Sequence, residues 1–350
     1  MKDLSFPVSS LDFEYPEELV ATERRLPSRT LLAAEPVARE VSREELLAQF
    51  QKGDLWVVNE TKVLKRRVFT AKGLEILFIQ SRNEEQTEWE VLCPSSRWKR
   101  DTTQEAGGVE LSLLERGRPQ ILKSAVPLTE AFFEENGELP LPPYIQKARG
   151  ERHTRGEDER EYQSIWAKTA GSLAAPTASF HFDDRFLAEL EARGVEVAKV
   201  TLHVGLGTFL PITVEDLKDH VMHAEVARVP SVTRQRIAHA KQQGGRIVAV
   251  GTTVTRTLEA MALGHFREEA AGDLVGETAL LIRPGHEWRV VDVLLTNFHQ
   301  PKSTLLALVA AFAEKPGVSG VDRVKAVYRR AIESKFRLFS YGDLSVWFRR

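Results

Sequence analysis

The sequence is poor in cysteine and in long apolar runs, and each shortage excludes a class of protein. Its 350 residues include a single cysteine, Cys93, which rules out an internal disulfide and any metal site built from several cysteines. No run of about 18 consecutive apolar residues is present, so no transmembrane helix is predicted. The first residues include acidic side chains and lack the apolar core of a signal peptide. We therefore expect a cytoplasmic protein without a membrane partner.

Net charge is also small, at −2, so the sequence has no global basic signature of nucleic-acid binding. Two short basic clusters nevertheless stand out in the first third of the chain. One of them places an indole among cations, which suits phosphate contact combined with base stacking. Solvated surface charge is the simpler interpretation. The residues of these clusters are Lys65, Arg66 and Arg67, and Arg97, Trp98 and Lys99.

Two patterns of apolar residues indicate more than one domain, and a chain of 350 residues more often forms two domains than one. From Val63 to about Val126, short β-like runs alternate with turn residues, which is typical of a small antiparallel module. Beyond the charged segment that ends at Glu161, helices and strands alternate, which is typical of a layered α/β domain with parallel strands. The β module is therefore predicted to be an insertion into the α/β domain.

Local signals place several element boundaries. Ser42 and Glu45 have the spacing of a capping box at the start of a helix predicted to reach Gln51. Asp183 is suited to cap a helix whose apolar residues fall on one face. A nearly continuous apolar strand is predicted from Trp288 to Leu295.

Gly251, Thr252 and Thr253 directly follow a predicted strand and precede a predicted helix. Free N–H groups and hydroxyls at such a helix start can hold a phosphate, a carboxylate or a ribose oxygen. A tight turn with an N-cap is the alternative.

His203 closes another predicted strand and is followed by Gly205 and Gly207, which allow a ligand or backbone to approach closely. The full dinucleotide fingerprint is absent, because Leu210 stands where its third glycine would be. We therefore do not expect a nicotinamide enzyme.

The remaining histidines are open to several interpretations. His181 follows a turn of small residues at a predicted helix start, where the imidazole would be a neutral acceptor, and a structural role is the alternative. His220, His223 and Glu225 resemble metal ligands in spacing, but the helical zinc motif is absent and no cysteine can assist. We expect no metal.

The densest polar cluster covers residues 296–304, between a predicted buried strand and a predicted helix capped by Ser303. Open α/β sheets bind ligands at this end of a strand, and bulky polar groups there need partners, which favours a site. Tyr341 and Asp343 add a phenol and a carboxylate near the C-terminus, although this segment could be only a docking turn.

Taken together, these segments resemble the signature segments of the S-adenosylmethionine:tRNA ribosyltransferase-isomerase family, in order and over essentially the whole chain. Any one segment is weakly specific, whereas so many in register are highly specific. The segments are residues 12–19, 53–59, 139–145, 175–182, 201–209, 221–225, 250–253, 256–259, 295–299, 301–306 and 339–343.

The resemblance implies an α/β fold in which a large layered α/β domain, residues 1–61 and 150–350, carries an inserted smaller antiparallel β-barrel domain, residues 62–149. It also implies a reaction. The aminomethyl group of a 7-deazaguanine base at the wobble position of tRNA attacks the ribosyl part of S-adenosylmethionine, and rearrangement gives epoxyqueuosine with loss of adenine and methionine. S-adenosylmethionine is then a cosubstrate, tRNA is the partner, no metal is needed, and we expect a monomer.

This chemistry needs a base for the ribose 5′ carbon beside the sulfonium and an acid that helps adenine to leave. Histidine suits both tasks near neutral pH, and the assignment of individual roles stays open. The catalytic candidates are His181, His203 and His299, with Asp343 as a second choice of base. The substrate-binding candidates are Thr177, Thr208, Thr253, Asn297, Ser303 and Tyr341, together with Arg256 and Lys302 for the methionine carboxylate or a tRNA phosphate. The RNA-facing candidates are Lys65, Arg66, Arg67, Arg97, Trp98 and Lys99.

The chain differs from the family pattern at Glu60, Ser179 and Ala279, where the family usually has Asp, Gly and Asp. Three alternatives stay open, the last of them based on His220, His223 and Glu225. The chain could be a paralogue that acts on another acceptor with S-adenosylmethionine, an inactive RNA-binding protein, or, more distantly, a metal hydrolase.

Overall fold

The computed structural model describes residues 5–34, 37–98, 102–205, 207 and 212–349. Its internal contacts divide the chain into two compact units. The larger unit contains Met1–Lys62, Gln163–Ala170 and Ala175–Arg350, and the smaller contains Val63–Tyr162 and Gly171–Ala174. That the units are separate folding domains with the boundaries given above stays a prediction.

The strands of the described residues are numbered in chain order. They are β1 (Thr30–Leu32), β2 (Arg39–Val41), β3 (Leu55–Asn59), β4 (Thr61–Val63), β5 (Arg67–Phe69), β6 (Glu75–Ser81), β7 (Glu88–Leu92), β8 (Thr103–Ala106), β9 (Val109–Glu115), β10 (Gln120–Ser124), β11 (Gly137–Glu138), β12 (Thr169–Ser172), β13 (Glu196–Leu202), β14 (Glu225–Val229), β15 (Ile247–Val250), β16 (Arg267–Glu268), β17 (Leu274–Thr278), β18 (Val293–Asn297) and β19 (Leu344–Phe348).

The helices are numbered in the same way. Among those that the structure describes, none has both the length and the apolar character needed to cross a bilayer. They are α1 (Arg43–Leu47), α2 (Glu130–Asn136), α3 (Pro143–Arg149), α4 (Asp158–Glu161), α5 (Asp184–Ala192), α6 (Ser231–Gln242), α7 (Thr252–Ala262), α8 (Thr304–Ala313) and α9 (Gly320–Glu333).

The larger unit is built on a mixed sheet. In the described part of the chain this sheet has ten strands in the order β16-β17-β14-β13-β3-β15-β18-β19-β1-β2. Strands β13, β3, β15 and β18 run parallel at its centre, whereas β14 and β19 pair antiparallel with them at either side. Helices follow several of these strands, so the predicted α/β fold class with a layered sheet is confirmed.

The core on one face of this sheet is rich in aromatic side chains. Trp56 of β3 is fully buried, and its ring lies 4.9 Å from that of Phe50 and 5.1 Å from that of Phe182, measured between centroids. Edge contacts of this kind add to the hydrophobic stabilisation from burial. Trp56 therefore ties the centre of the sheet to the segments packed on this face.

The smaller unit contains an antiparallel sheet that curls into a half-barrel. Its strands have the order β11-β5-β6-β7-β10-β9-β8 among the described residues. Inside it, the rings of Phe78, Trp89 and Phe133 meet pairwise with centroid distances of 5.1 to 5.7 Å. The predicted antiparallel character of this segment is confirmed.

The predicted caps are present, but one helix is shorter than expected. The hydroxyl of Ser42 accepts the N–H of Glu45, and the Glu45 carboxylate accepts the N–H of Ser42, which confirms the capping box. Helix α1 then ends at Leu47, because Gln49 and Phe50 continue the chain with tighter 3₁₀-type bonds. Asp183 caps α5 through the N–H of Phe186.

The strand predicted from Trp288 begins only at Val293. The buried carboxylate of Glu259 accepts the N–H groups of Arg289, Val290 and Val291 at 2.9 to 3.0 Å, so a side chain replaces a neighbouring strand as their partner. Burial raises the pKa of Glu259, but His286 and these N–H groups together hold it below its usual value. The apolar pattern alone could not reveal this distant acceptor.

Candidate active site

Polar side chains gather at one edge of the large sheet. Strands β13, β3, β15 and β18 are parallel, so their carboxyl ends meet there. Leu344 at the start of β19 pairs with Asn297 at the end of β18, and Thr30 at the start of β1 pairs with Leu344. The segments before β19 and β1 therefore reach the same edge, where open α/β sheets bind ligands.

The first cluster, Asn59, Thr61, His203 and Thr253, connects β3, β13 and α7. The Asn59 amide donates to the carbonyl of Leu202 at 2.9 Å and to the hydroxyl of Thr253 at 3.3 Å, and its oxygen accepts the N–H of Thr61 at 3.1 Å. The Thr61 hydroxyl lies 2.8 Å from Nδ1 of His203. Burial lowers the pKa of His203, so its fixed imidazole is mostly neutral near pH 7.

The second cluster, Ser28, Thr177, His181 and Asn297, centres on His181, the last residue of the 3₁₀ turn Thr177–His181. The Ser28 hydroxyl lies 2.7 Å from Nδ1 of His181. Nε2 of the same ring is enclosed and has no hydrogen-bond partner among the described residues, although part of the side chain is exposed. Burial lowers the pKa of His181 to about 3, and an interaction with Asn297 offsets this only in part. His181 is therefore neutral at pH 7.

Asn297 completes the second cluster. Its oxygen accepts the hydroxyl of Thr177 at 3.1 Å, and its amide donates to the carbonyls of Phe339 and Ser340 at 3.0 and 3.2 Å. These contacts satisfy a buried amide and join the end of β18 to the segment before β19. Asn297 thus holds the wall beside His181.

Gly251 and the first turn of α7 lie between the two clusters. Gly251 has φ +98°, a conformation that favours glycine, and a Cβ built on it would be 3.4 Å from Cβ of Ala178 in the turn that carries His181. The hydroxyl of Thr253, in the first turn of α7, accepts the side-chain amide of Asn59 from the first cluster. The N–H groups that begin α7 have no side-chain cap, and they carry the positive end of the helix dipole.

His299 does not join either cluster. Its Nε2 lies 2.8 Å from the hydroxyl of Thr296, and its N–H donates to the hydroxyl of Tyr328 at 2.8 Å. Thr296 and Asn297 are successive strand residues and face opposite sides of the sheet, so His299 is held on the side opposite Asn297. Burial lowers its pKa to about 3. These contacts indicate a structural histidine.

Asp343 and Tyr341 reach the sheet edge but are occupied. The two oxygens of Asp343 accept the N–H groups of Arg29 at 3.1 Å and Arg337 at 2.7 Å, and burial raises its pKa. Tyr341 is buried, with its ring stacked 5.8 Å from that of Phe180. Asp343 holds two backbone segments together, which disfavours a role as base.

Arg256, expected to bind a ligand carboxylate, points into the protein instead. Its guanidinium forms a buried ion pair with Glu225 and donates to the carbonyls of Leu280 at 3.1 Å and Thr278 at 3.5 Å. Glu225 also accepts the N–H of Gly205 at 3.1 Å. Arg256 is therefore not free for a ligand, and Glu225 is not free for a metal.

Lys302 and Ser303 directly precede α8, and Ser303 is its N-cap. Nζ of Lys302 lies 2.6 Å from Oδ2 of Asp12 in a half-exposed ion pair. The Ser303 hydroxyl accepts the N–H of Leu306 and donates to the carbonyl of Gln300, as the predicted cap requires. Thr208, predicted to contact substrate, lies outside the described residues.

Three of the side chains predicted to face RNA, Arg66, Arg67 and Trp98, are buried in the smaller unit. The Arg66 guanidinium lies 4.1 Å from the centre of the Phe133 ring and pairs with Glu130. Trp98 donates to the carbonyl of Thr102 at 3.0 Å. The other members differ in position: Lys65 pairs with Glu159 at 2.9 Å, Arg97 is exposed, and Lys99 lies outside the described residues.

In the described ranges, no group of three or more histidine, cysteine, aspartate or glutamate side chains is placed to hold a metal ion. His220 is half-buried and His223 is exposed, while Glu225 is paired as described above.

Sequence reasoning missed Ser28, Asn59 and Thr61. Asn59 ends an apolar strand, and a polar residue at that place in an α/β sheet was the available signal. Ser28 and Thr61 carry no comparable signal, because their partners lie 153 and 142 residues away in the sequence.

Two histidine-containing clusters lie at the carboxyl ends of parallel strands, where α/β enzymes have their active sites. This arrangement is typical of an α/β enzyme. A family model described as "Queuosine biosynthesis protein" matches residues 8–346, and the chain belongs to this family. This confirms the resemblance found in the sequence.

Individual relatives agree along nearly their whole length. A protein from Citrifermentans bemidjiense is 42% identical, over 96% of this chain and 98% of that protein. One from Burkholderia mallei is 40% identical, over 98% of this chain and 96% of that protein. Both are named S-adenosylmethionine:tRNA ribosyltransferase-isomerase. A crystal structure of an S-adenosylmethionine tRNA ribosyltransferase from Thermotoga maritima is similar with a TM-score of 0.52 and 30% identity, covering 97% of this chain and 99% of that one.

Proposed function

We propose that this chain is an S-adenosylmethionine:tRNA ribosyltransferase-isomerase. It transfers and isomerises the ribosyl part of S-adenosylmethionine onto the 7-aminomethyl-7-deazaguanine wobble base of tRNA, giving epoxyqueuosine, adenine and methionine. The observation that carries the proposal is the similarity at 40 to 42% identity over nearly the full length of relatives with this name. A cytoplasmic location and a monomeric state are parts of the same proposal.

The reaction needs a group that moves a proton, because the ribose 5′ carbon beside the sulfonium must be deprotonated and adenine must be protonated to leave. His203 is the better proton-transfer candidate. Burial lowers the pKa of His203, whereas burial lowers the pKa of His181 to about 3, and the Thr61 hydroxyl fixes the His203 ring. An imidazole with a pKa nearer the working pH exchanges protons more readily.

His181 then acts as a neutral hydrogen-bonding group. Its Nε2 is the unpartnered ring nitrogen, and Ser28 determines through Nδ1 whether that nitrogen donates or accepts. Rearrangement of the turn or of a neighbouring side chain on binding would give the nucleoside access to Nε2. His299 and Asp343 have the lower standing, since their polar atoms are already engaged by the protein.

The first turn of α7 is the proposed position of the ribose or of the methionine carboxylate. Uncapped N–H groups and the helix dipole favour an anion there, and the hydroxyl of Thr253 faces the same edge. Thr177 and Asn297 support the wall beside His181. Lys302, half-exposed and paired with Asp12, and Thr208 stay predictions for substrate contact, as do Lys65 and Arg97 for RNA contact.

The test is turnover with the natural pair of substrates. Purified protein is incubated with S-adenosylmethionine and a tRNA that carries 7-aminomethyl-7-deazaguanine at the wobble position, and free adenine and the mass of that nucleoside are measured. We expect adenine release together with the matching mass gain.

The variant His203→Gln should abolish both signals, while His239→Gln, an exposed histidine of α6, should leave them unchanged. Absence of both signals with wild-type protein would refute the proposed function. Normal turnover by the His203→Gln variant would refute the role of His203 alone.

A further inference from the structure

A cleft of about 480 Å³ opens in the larger unit beyond the end of β17. Its volume lies in the range of small-molecule sites. Its lining is apolar at several places and basic at others, and the described lining residues include no aspartate or glutamate. They are Leu217, Lys218, His220, Leu263, His265, Ala279, Leu280, Leu281 and Arg283.

The cleft lies toward the His203 side of the sheet edge. Thr278 at the end of β17 pairs with Glu225 at the start of β14, and the carbonyl of Val226 in β14 accepts the N–H of His203 at 2.9 Å. The wall of the cleft is also fixed to this edge, because Arg256 donates to the carbonyl of Leu280 and is paired with Glu225. The buried ion pair therefore ties the wall of the cleft to the start of β14, the strand that also accepts the N–H of His203.

The charge of the lining favours an anion. Lys218 is exposed and only loosely paired with Asp216, at 3.9 Å, and Arg283 is half-exposed. S-adenosylmethionine has a net positive charge, because its sulfonium and ammonium outweigh its carboxylate, so two neighbouring cations favour it less than they favour a phosphodiester. Charge complementarity thus favours a piece of RNA over the cosubstrate.

The apolar part of the cleft suits an unstacked base. Leu280 and Leu281 lie against it, and Leu263 is partly exposed at 36%. Val221, next to the lining residue His220 in sequence, leaves 82% of its surface in solvent. Proteins that read single-stranded RNA stack splayed bases on ring-bearing side chains while cations hold the phosphates, and the lining supplies His220 and His265 beside these leucines.

We infer that this cleft binds one nucleotide of the tRNA anticodon loop other than the modified base, with its phosphate at Lys218 and Arg283 and its base against the leucines. The inference rests on the proposed function for the identity of the RNA. It makes Lys218 and Arg283 determinants of RNA affinity that take no part in the chemical step.

Binding is tested separately from turnover. The affinity of an anticodon stem-loop RNA is measured over a range of salt concentrations for wild-type protein, for Lys218→Gln, for Arg283→Gln and for the double variant. Affinity for S-adenosylmethionine is measured in parallel by calorimetry. The matched control is Arg185→Gln, whose side chain is 80% exposed on α5 and does not line the cleft.

We expect the double variant to lose about tenfold or more in RNA affinity and the slope of log K against log salt to fall by about 1 for each cation removed. Binding of S-adenosylmethionine should not change. Ala279→Trp, which fills the cleft without altering charge, should also weaken RNA binding, and it keeps the test valid if Arg283→Gln fails to fold.

Unchanged RNA affinity in Lys218→Gln and Ala279→Trp would overturn the inference. It would also be overturned if these variants lost affinity for S-adenosylmethionine instead of affinity for RNA. Failure of the proposed function has a different signature. In that case the wild-type protein releases no adenine, while the cleft variants still weaken RNA binding. Wild-type protein that binds no RNA would refute both.

Discussion

The hydroxyl of Thr61 lies 2.8 Å from Nδ1 of His203, and the side-chain oxygen of Asn59 accepts the backbone N–H of Thr61 at 3.1 Å. A strand end thereby fixes the imidazole that we propose as the proton-transfer group. Replacing Thr61 by valine keeps the shape and removes the hydrogen bond, so adenine release should slow by about tenfold, equivalent to one lost hydrogen bond. Thr61→Ser should restore the rate.

Thr296→Val is the matched control, because the Thr296 hydroxyl lies 2.8 Å from Nε2 of His299, a histidine that belongs to neither cluster. We expect it to lower the melting temperature and to leave the rate constant of the folded enzyme near the wild-type value. Equal rate losses in Thr61→Val and Thr296→Val would count against the separation of roles between these histidines.

Acid should destabilise the protein through His299. Burial lowers the pKa of His299 to about 3 in the folded state, whereas the unfolded chain binds a proton near pH 6.5. The unfolded state therefore binds more protons between these values, and the stabilising contribution, complete above pH 6.5, is lost as the pH falls toward 3. At pH 4.5 the loss is about 2.7 kcal/mol. Urea unfolding at pH 7 and 4.5 should show a smaller difference for His299→Gln than for wild type.

The buried pair of Arg256 and Glu225 should show strong coupling. Removing either partner leaves a charge buried without its counterion, so Arg256→Met and Glu225→Gln should each lower the free energy of unfolding by about 3–5 kcal/mol. The double variant should lose clearly less than the sum of both. Denaturant unfolding of the four proteins gives the coupling energy, and additive losses would contradict the pairing.

Gly251→Ala tests the turn between the two clusters. A side chain at φ +98° is strained by about 1–3 kcal/mol, and the new methyl group would lie 3.4 Å from Cβ of Ala178 beside the proposed ligand position. We expect lower stability together with weaker binding of S-adenosylmethionine. Gly244→Ala, also at positive φ but with open space around it, should lose stability alone. Calorimetric titration and thermal melts separate the two effects.

Local chemistry made part of the fold predictable. The capping box at Ser42 and the caps at Asp183 and Ser303 depend on residues within three positions of one another, so the sequence shows them directly. The alternation of helices and strands likewise fixes an α/β sheet and therefore the edge where a site belongs.

The site itself depends on contacts that no local pattern contains. Ser28 meets His181 across 153 residues, and Asn59 meets Leu202 across 143. The burial of two arginines of the basic clusters has a related cause. Arg66 and Arg67 look exposed in sequence, but Glu130 and Glu138, which are 64 and 71 residues away, neutralise them inside the smaller unit.

The eleven residues of helix α7 contact three parts of the protein. The first turn faces the proposed ligand position, Arg256 is hydrogen-bonded to Leu280 in the cleft wall, and Glu259 is hydrogen-bonded to the segment 289–291. Because one helix contacts all three parts, a ligand that shifts the first turn of α7 would move the cleft wall and the segment 289–291 in the same direction. A single displacement of α7 would then couple ligand binding at its first turn to RNA binding in the cleft. Amino-acid substitutions should accordingly be better tolerated in the loops at the strand ends than along this helix.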